Sequence, residues 1–158
     1  MATSDHDTTT LADSYTETTR ILMPNHTNNL GRALGGTVLH WMDITGAIAA
    51  RRFAREQVVT ASMDHVDFRG PIDLGDVVAV TAYVFDTGDT SMDVLVTVHA
   101  ERPAENERHE AAASLFTFVA LDADEHPTSV PDLACPTDDQ TALREEALDR
   151  RRALAAAP

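Results

Sequence analysis

Gly35-Gly36-Thr37-Val38-Leu39-His40-Trp41-Met42-Asp43-Ile44-Thr45-Gly46-Ala47-Ile48-Ala49-Ala50 is the stretch whose reading decides the fold. It holds no proline and only Gly46 interrupts it, so it predicts one long helix running to about Phe53. Its apolar residues lie on most sides, which predicts a central helix buried on several faces rather than a one-sided surface helix. Arg51, Arg52 and Arg55 suit the negative end of its dipole. One residue does not fit: Asp43 lies between Met42 and Ile44, where an unpaired carboxylate is costly to desolvate. A carboxylate in such surroundings is either hydrogen-bonded to a neighbouring strand, exposed on a stripe, or part of a reactive site.

After the helix the period changes to two, and Val58 to Phe68, Asp76 to Phe85, Ser91 to Ala100 and Ala111 to Leu121 each predict a strand. Turn chemistry separates them at Arg69-Gly70-Pro71, at Leu74-Gly75-Asp76, at Asp86-Thr87-Gly88-Asp89 and from Glu101 to His109. The later connections suit hairpins, so the sheet is expected to be antiparallel. Ahead of the helix lie a Thr-rich strand, Ser14 to Leu22, and a loop marked by Pro24, three asparagines and Gly31. Residues 1–13 are expected to be a disordered acidic arm, 14–135 the domain, and 136–158 a C-terminal helical extension from about Asp138 to Leu154. This is an α+β layer arrangement. A single helix leaves the other sheet face uncovered, which predicts that subunits pack on it.

The chain has 158 residues, of which 43% are hydrophobic, enough for one domain with its own core. Cys135 is the only cysteine, and no Cys/His set has zinc spacing, so neither disulfide nor metal is expected. No apolar run approaches a membrane span and the first residues do not read as a secretory signal, which makes a reducing cytoplasm the expected home. All twelve basic residues are arginine, against 26 acids, for a net charge of −14. A GC-rich genome would give this composition. So would adaptation to molar salt, the favoured reading, because the Debye length there is only about 3 Å. An acidic chain without a basic patch argues against nucleic acid and anionic membranes as partners.

Two segments carry candidate chemistry. The paired glycines Gly35 and Gly36 at the helix start let backbone N–H groups approach a ligand, where the helix dipole favours developing negative charge. Such loops mostly serve as turns, and this one matches neither the P-loop nor the dinucleotide pattern. Together, however, Asn28-x-x-Gly31-x-x-x-Gly35-Gly36 followed by Trp41-Met42-Asp43 resembles the hotdog-fold acyl-CoA thioesterases of the YciA and brain-type branch. Val59-Thr60, Phe68-Arg69-Gly70-Pro71-Ile72, Gly75-Asp76, Gly88-Asp89-Thr90-Ser91-Met92 and Phe118-Val119-Ala120-Leu121-Asp122 extend the resemblance, in order, over about residues 15–135.

The resemblance implies a hotdog fold, an antiparallel sheet wrapped around one helix, and hydrolysis of acyl-CoA in fatty acid metabolism with no cofactor. It implies Asp43 as general base or nucleophile and Asn28 as the residue positioning substrate or water; the Gly35 and Gly36 amides at the helix start then suit the thioester oxyanion. Thr60 and the turn Gly88, Thr90, Ser91 and Met92 match segments that contact CoA. Asn28 and Asp43 are expected to meet from different subunits, in homodimers grouped into a homohexamer. His26 stands where many relatives carry Asp, and Leu34 where Phe or His is common; both departures bear on pocket shape.

CoA is polyanionic, so cations must be found for it; Arg69, Arg51, Arg52 and the run Arg150-Arg151-Arg152 are candidates. The run reads better as an ordinary solvated face, with Glu146 and Arg150 paired i,i+4. Arg32 has no assignment, and Thr60, Ser62 and Asp64 alternate as in any strand. A non-catalytic acyl-CoA-binding sensor or oligomerisation module is the alternative on the same fold. A hydratase would need a His–carboxylate dyad, for which only His40 lies close in sequence.

Overall fold

A computed structural model describes residues 7–157. In chain order it contains β1 (Thr8–Thr10), α1 (Leu11–Ser14), β2 (Thr16–Ile21), α2 (Gly35–Ala54), β3 (Gln57–Phe68), β4 (Val77–Thr87), β5 (Ser91–Arg102), β6 (Glu107–Leu121), β7 (Asp132–Ala134) and α3 (Asp138–Ala156). Five strands form one antiparallel sheet in the order β2-β4-β5-β6-β3, as the period-two segments predict. β4, β5 and β6 are joined by hairpins, whereas β3 crosses to the far edge beside β6. No helix among the described residues is long and apolar enough to cross a membrane.

Alternation in the central strands decides the layers. Val80, Val96, Phe116 and Phe118 point to one face, where Trp41, Met42, Ala49 and Phe53 of α2 cover them. Each large side chain so buried contributes about 1.5–3 kcal/mol. Gly46 explains how closely the helix lies: a Cβ there would stand 3.1 Å from the Phe118 ring and 3.3 Å from Val96. α2 is buried along one broad side only, and Ile44, 41% exposed, breaks the expected burial on several faces.

Three expectations are corrected. The second sheet face is not left for another subunit, because α3 places Ala147 and Leu148 over Tyr83, Phe85, Leu95 and Leu115. The C-terminal helix is therefore part of the domain rather than an extension of it. The acidic arm is ordered from Thr8, since Leu11 is wholly buried in that same cluster and β1 pairs in parallel with β7. Thr10 and Asp13 cap α1 reciprocally. The rest of the expected arm, residues 1–6, lies outside the described residues.

Candidate active site

The N-terminus of α2 is built by the loop before it. Asn28 Oδ1 accepts from the backbone N–H groups of Leu30 (2.9 Å) and Arg32 (3.2 Å), and Gly31 takes the left-handed φ of 72° that this tight turn needs. His26 Nδ1 accepts from the Met23 N–H at 3.1 Å and the ring meets Trp41 edge-on at 4.9 Å. An imidazole thus supplies the acceptor that closes this turn. Leu34 is the N-cap, with extended backbone and no side-chain bond to the helix. Gly35 and Gly36 follow, both exposed, and among the described residues their N–H groups have no hydrogen-bond partner. The helix start is a vacant donor pair at the positive end of a 20-residue dipole.

Asp43 lies two turns further on, half-buried, and its Oδ1 accepts from the Thr60 hydroxyl at 2.7 Å. A bulge produces this contact. Thr60 pairs with Phe118 while Ser62 pairs with Thr117, so Ala61 is the extra residue and the alternation expected for Thr60, Ser62 and Asp64 breaks. Thr60 therefore shares the helix face with Phe118, whereas Ser62 turns to the α3 face with Thr117. Gly46, one turn beyond Asp43, brings the helix down onto Phe118 and so brings the carboxylate to Thr60. The sequence offers a faint signal for the bulge: apolar positions 58, 59, 61 and 63 do not keep one parity.

One chain does not assemble the expected site. The vacant amides and Asp43 are seven to eight residues apart on one helix, about 11 Å along its axis. A single carbonyl cannot touch both, since catalytic contacts span about 3 Å. Asn28 makes no bond to Asp43 within the chain; its carbonyl oxygen is committed to the loop. His40 is exposed, and no bond joins it to Asp43 among the described residues.

The expected CoA contacts divide. Gly88 sits in the β4–β5 hairpin, its N–H bonded to the Ser91 carbonyl at 2.9 Å, and Thr90 and Ser91 are half-exposed there. The hairpin lies at the sheet end where β3 begins, because the Ala120 N–H bonds the Thr90 carbonyl and Ala120 pairs with Val58. Met92 is fully buried beneath α2 and presents no surface. Arg69 turns to the opposite face, donating to Asp67 and Glu110 at 3.0 Å each. Arg150 also bonds Glu110 (2.7 Å), and Arg151 bridges Asp93 (2.8 Å) and Asp86 (2.7 Å). Arg150 and Arg151 thus clamp α3 to the sheet, whereas Arg152 keeps to the solvated face, paired with Asp149 of its own helix. Arg32 is spoken for too, 3.8 Å from Asp73. Burial pushes the Cys135 thiol up from its ordinary value, which disfavours the reactive thiolate. No metal-binding group of side chains occurs among the described residues.

This geometry has relatives. The family model described as Thioesterase superfamily matches residues 30–106, from the loop before α2 to the β5–β6 turn. The uncharacterized acyl-CoA thioester hydrolase YkhA of Bacillus subtilis is 40% identical over 134 residues, covering 85% of this chain and 77% of its own length. The chain belongs to the thioesterase superfamily. Among solved structures, this thioesterase-superfamily chain matches an apo-hexameric acyl-CoA thioesterase with a TM-score of 0.84 and 36% identity, over 96% of this chain and 99% of that one. It also matches the acyl-CoA hydrolase of Staphylococcus aureus, solved with butyryl coenzyme A, coenzyme A and coenzyme A disulfide, at TM-score 0.79 and 34% identity over 94% of each chain. That hydrolase was solved as Asn28Ala, Asp43Ala and Thr60Ala mutants as well, numbers at which this chain also carries Asn, Asp and Thr. The superfamily member described here has the expected hotdog architecture, a sheet wrapped around one central helix.

Proposed function

We propose that the protein hydrolyses acyl-CoA thioesters to a carboxylic acid and CoA, at a site completed by a second copy of the chain. The observation that carries the reading is Asp43 bonded to Thr60 on a face whose other catalytic groups lie about 11 Å away on the same helix. Supplied by a second copy, the Gly35 and Gly36 amides receive the thioester oxygen, a preorganised donor contribution of about 3 kcal/mol. The Asn28 amide of that copy, whose N–H donors are free of the loop bonds, orients water or substrate.

Asp43 then takes a proton from water as the oxygen adds to the carbonyl carbon. The tetrahedral intermediate collapses, the C–S bond breaks, and the thiolate leaves with its electron pair and is protonated by the Asp43 carboxylic acid or solvent. Direct attack by Asp43 would instead expel the thiolate and form an anhydride; where water opens it at the Asp43 carbonyl, a single turnover in 18O-water leaves label on Asp43 instead of in the product acid. Thr60, donating to Oδ1, fixes the carboxylate so that the other oxygen faces the water.

Two exposed apolar patches support assembly into dimers and then a hexamer. Ile44 on α2 and Met63 on β3 are exposed on the helix side of the sheet; Met23, Leu30, Leu34 and Leu74 are exposed on the loops around the start of α2. A two-fold contact uses one patch, and a second patch permits further closed symmetry. Light scattering is expected to give six times the chain mass. The acid-rich surface fits a reducing cytoplasm with concentrated salt, where activity is expected to rise with KCl.

The test is thiol release from a panel of acyl-CoAs in molar KCl. Release above the uncatalysed rate supports the hydrolase, and tight binding of CoA thioesters without release supports the binding-module reading instead.

A further inference from the structure

The −14 charge sets a problem that the arginines resolve. A polyanion approaches an acidic protein only where local cations are unneutralised. Eight of the twelve arginines are ion-paired to carboxylates among the described residues. The other four are Arg20, stacked over Trp41 at 4.7 Å, and Arg51, Arg52 and Arg55 at the end of α2. Arg52 is half committed, donating to the Tyr15 carbonyl and the Thr16 hydroxyl. Arg51 and Arg55 have no side-chain hydrogen bond among the described residues. Cations here also ease the helix dipole, yet neither guanidinium bonds a terminal carbonyl. Arg55 moreover takes the C-cap position at φ 58°, ψ 30°, a left-handed conformation that favours glycine. Both line a groove of about 580 Å³ with Ile48, Arg52, Glu56 and Gln57.

The groove is in line with Asp43. Asp43, Ala47, Arg51 and Arg55 follow one another at i,i+4, and Ile44 and Ile48 lie on the adjacent row. The strip is apolar beyond the carboxylate and then cationic. Arg51 lies about 12 Å and Arg55 about 18 Å from Asp43 along the axis. A pantetheine arm, thirteen bonds from sulfur to the first phosphorus, spans roughly 16 Å when extended at ordinary bond lengths.

We propose that Arg51 and Arg55, in the groove at the C-terminal end of α2, hold the phosphates of the CoA moiety while its pantetheine arm lies along Ala47 and Ile48. Guanidinium groups suit this ligand, because their forked donors match phosphate oxygens. This rests on the acyl-CoA reading above and names the site of the nucleotide end.

The test uses the full chain, wild type and Arg51→Glu/Arg55→Glu, with the acyl-CoA that the wild type cleaves fastest and its acyl-pantetheine counterpart. The KM for acyl-CoA is expected to rise at least about tenfold in the variant, and the wild-type preference for the CoA thioester over the pantetheine thioester to collapse. Inhibition by 3′,5′-ADP should weaken in parallel, and Arg51→Gln/Arg55→Gln should shift all three the same way by less. An unchanged substrate preference with unchanged 3′,5′-ADP inhibition overturns the assignment alone. A wild type that cleaves the pantetheine thioester but gains nothing from the nucleotide also overturns it, whereas one that releases thiol from neither substrate overturns the hydrolase reading.

Discussion

The two faces of the sheet handle polar groups in opposite ways. Against α3, charges are neutralised where they stand: Glu110 receives Arg69 and Arg150, Arg151 joins Asp86 to Asp93, and the Tyr83 hydroxyl donates to the Leu143 carbonyl at 2.6 Å. A cavity of about 160 Å³ lies there, lined by Leu95, Leu115, Leu154 and Arg150, on the side away from Asp43. Along the outer strip of α2 the groups are left open: two vacant amides, a carboxylate held by one hydroxyl, and two unpaired guanidiniums. Satisfied polar groups fix a structure, and unsatisfied ones kept at a surface await a ligand or a partner. The difference separates the stabilising face from the reactive one.

Substitutions can break that separation. Asp43→Asn keeps the shape and removes the base, so kcat is expected to fall about 10²–10⁴-fold with the melting temperature unchanged or raised; steady-state thiol release and a thermal melt check both. Thr60→Val removes the one hydroxyl on Asp43, and kcat should drop roughly 10- to 100-fold, the equivalent of a hydrogen bond to a charged group, while Thr60→Ser retains most activity. On the opposite face, Arg151→Ala should cost about 1–3 kcal/mol in urea unfolding, because Asp86 and Asp93 lose their bridge, with kcat unaltered. A large kcat loss there would show that the faces are not independent.

The smallest effect is on pH dependence. His99, on the α3 face, is held below its ordinary 6.5 by burial and then by Arg108. The unfolded chain therefore binds more protons just below pH 6.5, and stability falls as pH drops through that value. Glu110 is held below its ordinary 4.5 by its bond to Arg150, so its contribution is present above 4.5 and lost as pH falls through the lowered folded value. In about 1 M salt, where carboxylate self-repulsion is screened, thermal melts should show both declines, and His99→Gln should flatten the upper one.

Much of the helix face was legible because it follows from periodicity and composition. The proline-free run fixed α2, alternation fixed the strands, and an acid amid apolar neighbours marked Asp43. What escaped depends on long-range placement. The Thr60 contact rests on a one-residue bulge and on Gly46 against Phe118, neither of which breaks a local pattern strongly. Arg150 has an ordinary i,i+4 partner in Glu146, which hid its larger commitment to Glu110 and that of Arg151 to Asp86 and Asp93. The ordered arm escaped because buried Thr9 and Leu11 and the pairing of β1 with β7 anchor it, and average polarity registers none of these.

The central claim is that the open strip of one chain is completed by the helix start and loop of another. Mixing subunits of Asp43→Ala and Asn28→Ala, each inactive alone, tests it directly. In a shared-site dimer, half of the randomly reassorted pairs contain one intact site of two, so thiol release should recover to roughly a quarter of wild type. Mixed, reassorted subunits that stay as inactive as either parent would contradict the claim, because Asp43 and Asn28 would then act within one chain.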